Sequence, residues 1–182
     1  PLTACVTAAI AALLHTKKFT DKKWTAVFGV LVGVAMLTKW TAFIFLLAPT
    51  VFTLIGALRT RHEHRKKIRN LTVAAIIGGV ITAPWYVLHA KEILAVANAT
   101  RRNVFSVPFE NLFSAGNGTF YAQWIVRGVT WPIALLLCIG IVAAFWRRTH
   151  ADQLLLAWIA TPYVIMTFAL YSKESRYLLP IF

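Results

Sequence analysis

The chain has 182 residues, of which 59% are hydrophobic and only 14% charged. Soluble domains run at about 45–50% apolar and 25% charged, so a water-soluble globule of this size would lack the polar surface to cover its apolar residues, and a disordered chain is excluded outright. Nineteen Lys and Arg stand against six Asp and Glu, a formal net charge of +13; in a chain this apolar, that excess points to cytoplasmic loops and anionic lipid, with no nucleic acid as partner.

A membrane-crossing helix needs about 20 largely apolar residues, within a range near 17–25. In chain order the apolar segments are Leu2–Leu14, Trp24–Thr38, Thr41–Leu58, Leu71–His89, Thr130–Trp146 and Gln153–Tyr171. The first two are short, and the other four approach or meet the length. Read as one helix, Trp24–Leu58 would be roughly 52 Å long, against about 30 Å of hydrocarbon. Lys39 also interrupts it, so two helices meeting near Lys39 are predicted. The expected fold class is all-α: a polytopic transmembrane helical bundle of about six spans or part-spans. It is read as one transmembrane domain over 1–182. The start at Pro1 and the apolar run opening at Tyr177–Phe182 lead us to expect an internal fragment of a longer chain.

The basic residues set the expected orientation. Lys17, Lys18, Lys22 and Lys23 form one cluster, Arg59, Arg61, Arg65, Lys66, Lys67 and Arg69 a second, and Arg147 with Arg148 a third. If each apolar segment crosses once, the basic loops 15–23, 59–69 and 147–152 share one side. The positive-inside rule makes that side cytoplasmic in a multi-pass protein of the cell membrane. The other side receives Lys39, an outer-face connection of about forty residues at 90–129, and Ser172–Arg176. Within the connection, Lys91–Arg102 reads as an amphipathic helix with Ile93, Leu94 and Ala97 on one face, suited to the membrane surface. Trp85, Tyr86, Trp124 and Trp131 read as an aromatic belt. Asn98-Ala-Thr100 and Asn117-Gly-Thr119 are glycosylation sequons on the outer side, whereas Asn70-Leu-Thr72 falls on the wrong one.

Few residues could carry chemistry. Lys39 is either an interfacial anchor beside Trp40 or a cation facing an aqueous cavity, ready for a phosphate. Arg176 is either an interfacial anchor or, at the start of a helix capped by Ser175, part of an anion site. Arg101-Arg102 reads mainly as a solvated or lipid-facing pair. His62-Glu63-His64 sits among six cations and reads as solvated loop, so no metal site is assigned. Cys5 and Cys138 read as small buried hydrophobes that stay unpaired. No P-loop, HExxH, cysteine cluster or nucleophile–base pair is present, and the outer-side carboxylates Glu92, Glu110 and Glu174 form no close acidic pair.

Three motifs, taken in order, resemble the GT-C superfamily of integral-membrane glycosyltransferases. They are Gly33-Val-Ala-Met-Leu-Thr-Lys39 followed by an apolar helix with Pro49, then Ala83-Pro84-Trp85-Tyr86, then Lys173-x-x-Arg176-Tyr177-Leu178-Leu179-Pro180. The branch most similar holds the dolichyl-phosphate-mannose protein mannosyltransferases and the aminoarabinose transferase of lipid A. The resemblance implies transfer of a sugar from a polyprenyl-phosphate donor to a protein, lipid or glycan acceptor at the outer face. It places Lys39 and Arg176, with Lys173 and Tyr177, at the donor phosphate, and leaves Arg101 and Arg102 as secondary candidates. The family's catalytic acid lies in a first outer loop that this stretch does not contain. The catalytic base therefore has no candidate here, and these residues alone are expected to be inactive. No cofactor is implied, although a divalent metal stays open. Two rival readings are a transporter or flippase of a lipid-linked or anionic substrate, and a non-catalytic membrane scaffold.

Overall fold

The computed structural model describes residues 1–60, 63–104 and 131–169, together with Thr119 and Gln123. Among these residues the chain is all-helical: α1 (Leu2–His15), α2 (Lys22–Thr38), α3 (Ala42–Arg59), α4 (His64–Leu88), α5 (Ala90–Val104), α6 (Trp131–Arg147) and α7 (His150–Ala169). Two of them, α3 and α4, are long and apolar enough to cross a membrane, while α1 and α6 are apolar but shorter. Contacts divide the chain into a unit spanning Pro1–Ala90 and a second within Lys91–Leu179, although no linker composition marks the boundary.

In the first unit, α1 buries Val6, Ala9, Ile10 and Leu13, the spacing of one helical face. The helix stops at Thr16, whose hydroxyl donates to the Leu13 carbonyl at 2.7 Å and accepts from the Phe19 N–H at 3.3 Å. Lys17, Lys18 and Phe19 then take positive φ values of 50°, 59° and 65°. Left-handed backbone costs roughly 1–2 kcal/mol per non-glycine residue, so this turn needs outside support. Asn70 supplies it: its side-chain amide donates to the carbonyl oxygens of Phe19 at 2.9 Å and Thr20 at 3.3 Å. Asp21 then caps α2, accepting from the backbone of Lys23 at 2.9 Å and Trp24 at 3.1 Å, as N-cap aspartates do.

Helices α2 and α4 run in the same direction. Residues 19–20 meet residue 70, Gly29 meets Ala74, Gly33 meets Gly78 and Ile81, and Met36 meets Tyr86. The two backbones are very close: a Cβ on Gly29 would lie 2.5 Å from the Ala74 carbonyl oxygen and 2.8 Å from its Cα. A Cβ on Gly33 would lie 3.0 Å from the Ile81 side chain. Gly29-x3-Gly33 against Ala74-x3-Gly78 is the small-residue packing by which helices associate in lipid, where close backbone approach replaces the hydrophobic drive.

Helix α3, which connects them in sequence, runs in the opposite sense. Pro49 lies inside it and has no N–H to give the preceding turn. Nearby hydroxyls serve the same carbonyl ladder: Thr50 donates to Leu46 at 2.6 Å and Thr53 to Pro49 at 2.9 Å. Satisfying polar groups within the helix is what an apolar surrounding demands. At the far end of α3, Lys67 of α4 turns inward. Its buried ammonium donates to the carbonyls of Ala57 (3.3 Å) and Thr60 (3.1 Å) and to the Thr60 hydroxyl (2.6 Å). A cation at a helix C-terminus meets both the unpaired carbonyls and the negative end of the dipole.

One expectation is corrected here. Helix α4 starts at His64, not Leu71, so Arg65, Lys66, Lys67 and Arg69 lie on its first turns rather than in a loop over 59–69. Among the described residues two helices have the length and composition of a span and two more are apolar but shorter, so the all-helical class agrees with the expected six spans or part-spans while their number is not reached. Other boundaries agree with the reading from sequence to within three residues, including the break at Lys39 and the amphipathic α5. The rest of the 90–129 connection, beyond α5, lies outside the described residues apart from Thr119 and Gln123.

In the second unit, α6 and α7 are joined through Arg148, with φ 49°, and Thr149. Thr149 and Asp152 close a capping box. The Asp152 N–H donates to the threonine hydroxyl at 3.2 Å, and that hydroxyl donates to the carboxylate at 2.6 Å. Arg147 adds a contact at 2.7 Å to the other carboxylate oxygen. These partners, Thr149 first and Arg147 next, hold the Asp152 carboxyl below its ordinary value against the opposing effect of burial.

Candidate functional site

Lys39 ends α2 in extended backbone, φ −163° and ψ 127°, and its carbonyl accepts from Ala42 at 2.9 Å as α3 begins. It is exposed. The parallel course of α2 and α4 puts it at the end of the first unit away from Lys17–Lys23 and Arg65–Arg69. Aromatic residues gather at this same end. Trp40 and Phe43 stack at 6.0 Å, Trp85 and His89 at 3.8 Å, and the Tyr86 hydroxyl donates to the Met36 carbonyl at 3.0 Å. Trp24 stands at the opposite end, sixteen residues and about 24 Å along α2 from Trp40.

A groove of about 370 Å³ runs between α2, α3 and α4, walled by Phe28, Met36, Phe43, Leu47, Ala75 and Thr82. Its existence follows from Gly33, Gly78 and Gly79, which add no side chain to the space between the helices. Its two threonine hydroxyls are already engaged, Thr50 with Leu46 and Thr82 with the Gly78 carbonyl at 2.9 Å, so the lining offers apolar contact. Met36 and Phe43, which flank Lys39 in sequence, line one end of it.

Arg101 and Arg102 belong to α5, and of their side chains nothing is described. Lys173, Arg176 and Tyr177 lie outside the described residues, as do Glu110, Glu174 and Trp124. Glu92 is exposed in the first turn of α5. Among the described residues no group of three His, Cys, Asp or Glu is placed to hold a metal, and Cys5 and Cys138 are unpaired. Cys5 is half-buried and Cys138 exposed, so the expectation of two buried thiols fails for Cys138.

Reasoning from sequence missed Asn70 and Lys67. From sequence Asn70 reads only as a sequon on the wrong side; its amide is buried against the turn before α2, which leaves no nitrogen for a glycan. Lys67 is indistinguishable by type from its five basic neighbours, and only its position opposite the end of α3 singles it out. The small-residue spacings at 29/33 and 74/78 are readable in the sequence and carry a known packing consequence.

Compared with protein-family models, curated proteins and solved structures, the chain matches none.

Proposed function

We propose that this chain is part of a multi-pass membrane glycosyltransferase that takes a sugar from a polyprenyl-phosphate donor at the membrane face bearing Lys39. The observation that supports this reading most is the pairing of an exposed cation with an apolar groove. Lys39 stands at the α2–α3 break, and Met36 and Phe43, three residues before it and four after it, line a groove about 370 Å³ in volume. A lipid-linked sugar phosphate has the matching division, an apolar tail and an anionic head. The membrane setting is supported by α4, in which only 11% of the most apolar window is buried, whereas a core helix of a soluble domain would be largely covered. Val80 and Val87 are 67% and 73% exposed, a surface that lipid can cover and water would penalise. The side carrying Lys17–Lys23 and Arg65–Arg69 is then cytoplasmic.

In this reading the bond between the sugar's anomeric carbon and the phosphate oxygen breaks, and charge develops on the departing phosphate. Lys39 neutralises that charge where water is sparse, an effect larger in the transition state than in the bound donor. Arg176, with Lys173 and Tyr177, joins it as the motif resemblance implies. The acceptor hydroxyl gives its proton to a carboxylate outside this stretch.

The test uses the full-length protein in membranes with labelled polyprenyl-phosphate sugars. Lys39→Ala and Arg176→Ala are each expected to lower transfer by about 100-fold or more, at unchanged membrane abundance. Transfer that survives both substitutions would make these residues anchors. Absence of transfer by the unaltered protein across several donors would favour the transporter reading.

A further inference from the structure

We propose that the end of the first unit where α2 and α4 begin is a binding site for anionic phospholipid headgroups. The inference rests on the membrane placement above, and is independent of sugar transfer. Two basic clusters far apart in sequence meet there, because Asn70 ties the start of α4 to the turn before α2. Residues 15–23 and 59–69 together hold ten Lys and Arg against two carboxylates, Asp21 and Glu63. Both carboxylates are engaged. Asp21 accepts from the backbone of Lys23 and Trp24, and Glu63 pairs with Lys66 at 2.9 Å.

The placement of these cations runs against helix electrostatics. A helix N-terminus carries a partial positive charge and favours acidic residues, yet α2 opens Lys22-Lys23 and α4 opens His64-Arg65-Lys66, with no acid in either first turn. Asp21 offsets this at α2 by capping it, whereas no side chain among the described residues caps α4, and both starts still hold an excess of positive charge at one end of the fold. A bound anion offsets the clustered positive charge at both starts, and at α4, without such a cap, the helix dipole adds to its attraction.

The surroundings select a lipid among anions. Lys22, Lys23, Arg65 and Arg69 are exposed, and exposed apolar residues adjoin them directly: Trp24, Val27 and Ile68. Cations edged by Trp and aliphatic side chains fit a phosphate at the headgroup level with acyl chains alongside. A soluble polyphosphate or a nucleic acid would use only half of that surface. Lys67 is excluded from the site, since its ammonium is committed to the end of α3.

The purified full-length protein, stripped of lipid in mild detergent, would be titrated with phosphatidylglycerol and with phosphatidylcholine of the same chains, and bound lipid counted by native mass spectrometry. The expected result is about a tenfold preference for phosphatidylglycerol. The combined change Lys22→Gln, Lys23→Gln, Arg65→Gln and Arg69→Gln abolishes it, while the four corresponding Lys/Arg exchanges, which keep the charge, preserve it. Neutralising Lys91, Arg147 and Arg148 instead leaves it intact. Equal retention of the two lipids, or a preference that follows Arg147 and Arg148, would overturn the site. So would displacement of phosphatidylglycerol by millimolar inorganic phosphate, which would mean a free-anion site, or by a short RNA. Alkaline extraction of the same protein from membranes separates the two claims. Release into the supernatant sinks the membrane placement, whereas retention with equal lipid binding sinks the headgroup site alone.

Discussion

The side-chain amide of Asn70 donates to the backbone carbonyl of Phe19 at 2.9 Å, across fifty-one positions of sequence. That bond joins the only run of three left-handed residues described in the chain to the second turn of α4. It sets which ends of the helices lie together, and through that the separation of Lys39 from the basic clusters. Asn70→Ala leaves the buried Phe19 carbonyl and the half-buried Thr20 carbonyl short of a donor, and we expect a loss of about 1–3 kcal/mol. Thermal or denaturant unfolding of the protein in detergent micelles measures it; an unchanged midpoint would contradict the role.

Glycines of this unit divide into two kinds. At Gly29 an added Cβ would meet the Ala74 backbone at 2.5 Å, and backbone cannot swing aside, so Gly29→Ala is expected to cost about 1–3 kcal/mol. At Gly79 nothing lies within 4 Å, so Gly79→Ala is expected to be neutral or to stabilise by about 0.5–1 kcal/mol through helix propensity. Comparing both variants in one unfolding assay checks the close approach of α2 and α4; equal effects would refute it.

Lys67 is expected to behave as a structural residue despite its charge. Lys67→Met removes the donor shared by Ala57 and Thr60 and should cost about 1–3 kcal/mol. Thr60→Val, which removes one acceptor of the three, should cost less. Orientation should be unaffected by either, a point that reporter fusions at the chain ends would settle.

Asp152 gives the α6–α7 connection a dependence on pH. Its folded value lies below the ordinary 3.8, through Thr149 and then Arg147. The carboxylate therefore stabilises the fold fully at neutral pH, and this contribution is lost as the pH falls from the ordinary value through the depressed one. Asp152→Asn should lower stability at pH 7 and flatten the acid limb, so the unfolding curves of the two proteins converge at low pH. Parallel curves across the whole range would show that the carboxylate has no such role.

Position 64, exposed at the start of α4, reports the orientation proposed above. In a chain with Cys5 and Cys138 changed to serine, His64→Cys should react with a membrane-impermeant maleimide only after the cells are opened. Labelling from outside intact cells would reverse the assignment.

What could be read in advance, and what could not, divides along physical lines. The break at Lys39 was legible because length alone forbids one helix over Trp24–Leu58. The start of α4 was not, because hydropathy scores Arg65–Arg69 as loop although Lys and Arg are good helix formers. The turn at Lys17–Phe19 carries no glycine, proline or asparagine, so nothing local announces a left-handed path; the reason for it lies fifty residues away in Asn70. Of the candidate site, the position of Lys39 was legible and the groove beside it was not, since the groove is made by glycines on two helices distant in sequence.

The closest neighbour of α2 is neither of its neighbours in sequence but α4, and this bears on the order of synthesis. When Gly29 and Gly33 leave the ribosome, the residues that will cover them lie some forty to fifty positions downstream. Until α3 has been made and turned back, that small-residue stripe faces whatever surrounds the nascent chain. The α2–α4 seam thus closes late, when α4 arrives to cover the stripe and to bring Asn70 under the turn. A chain stalled after Arg59 and before position 70 would hold α1, α2 and α3 with neither contact made.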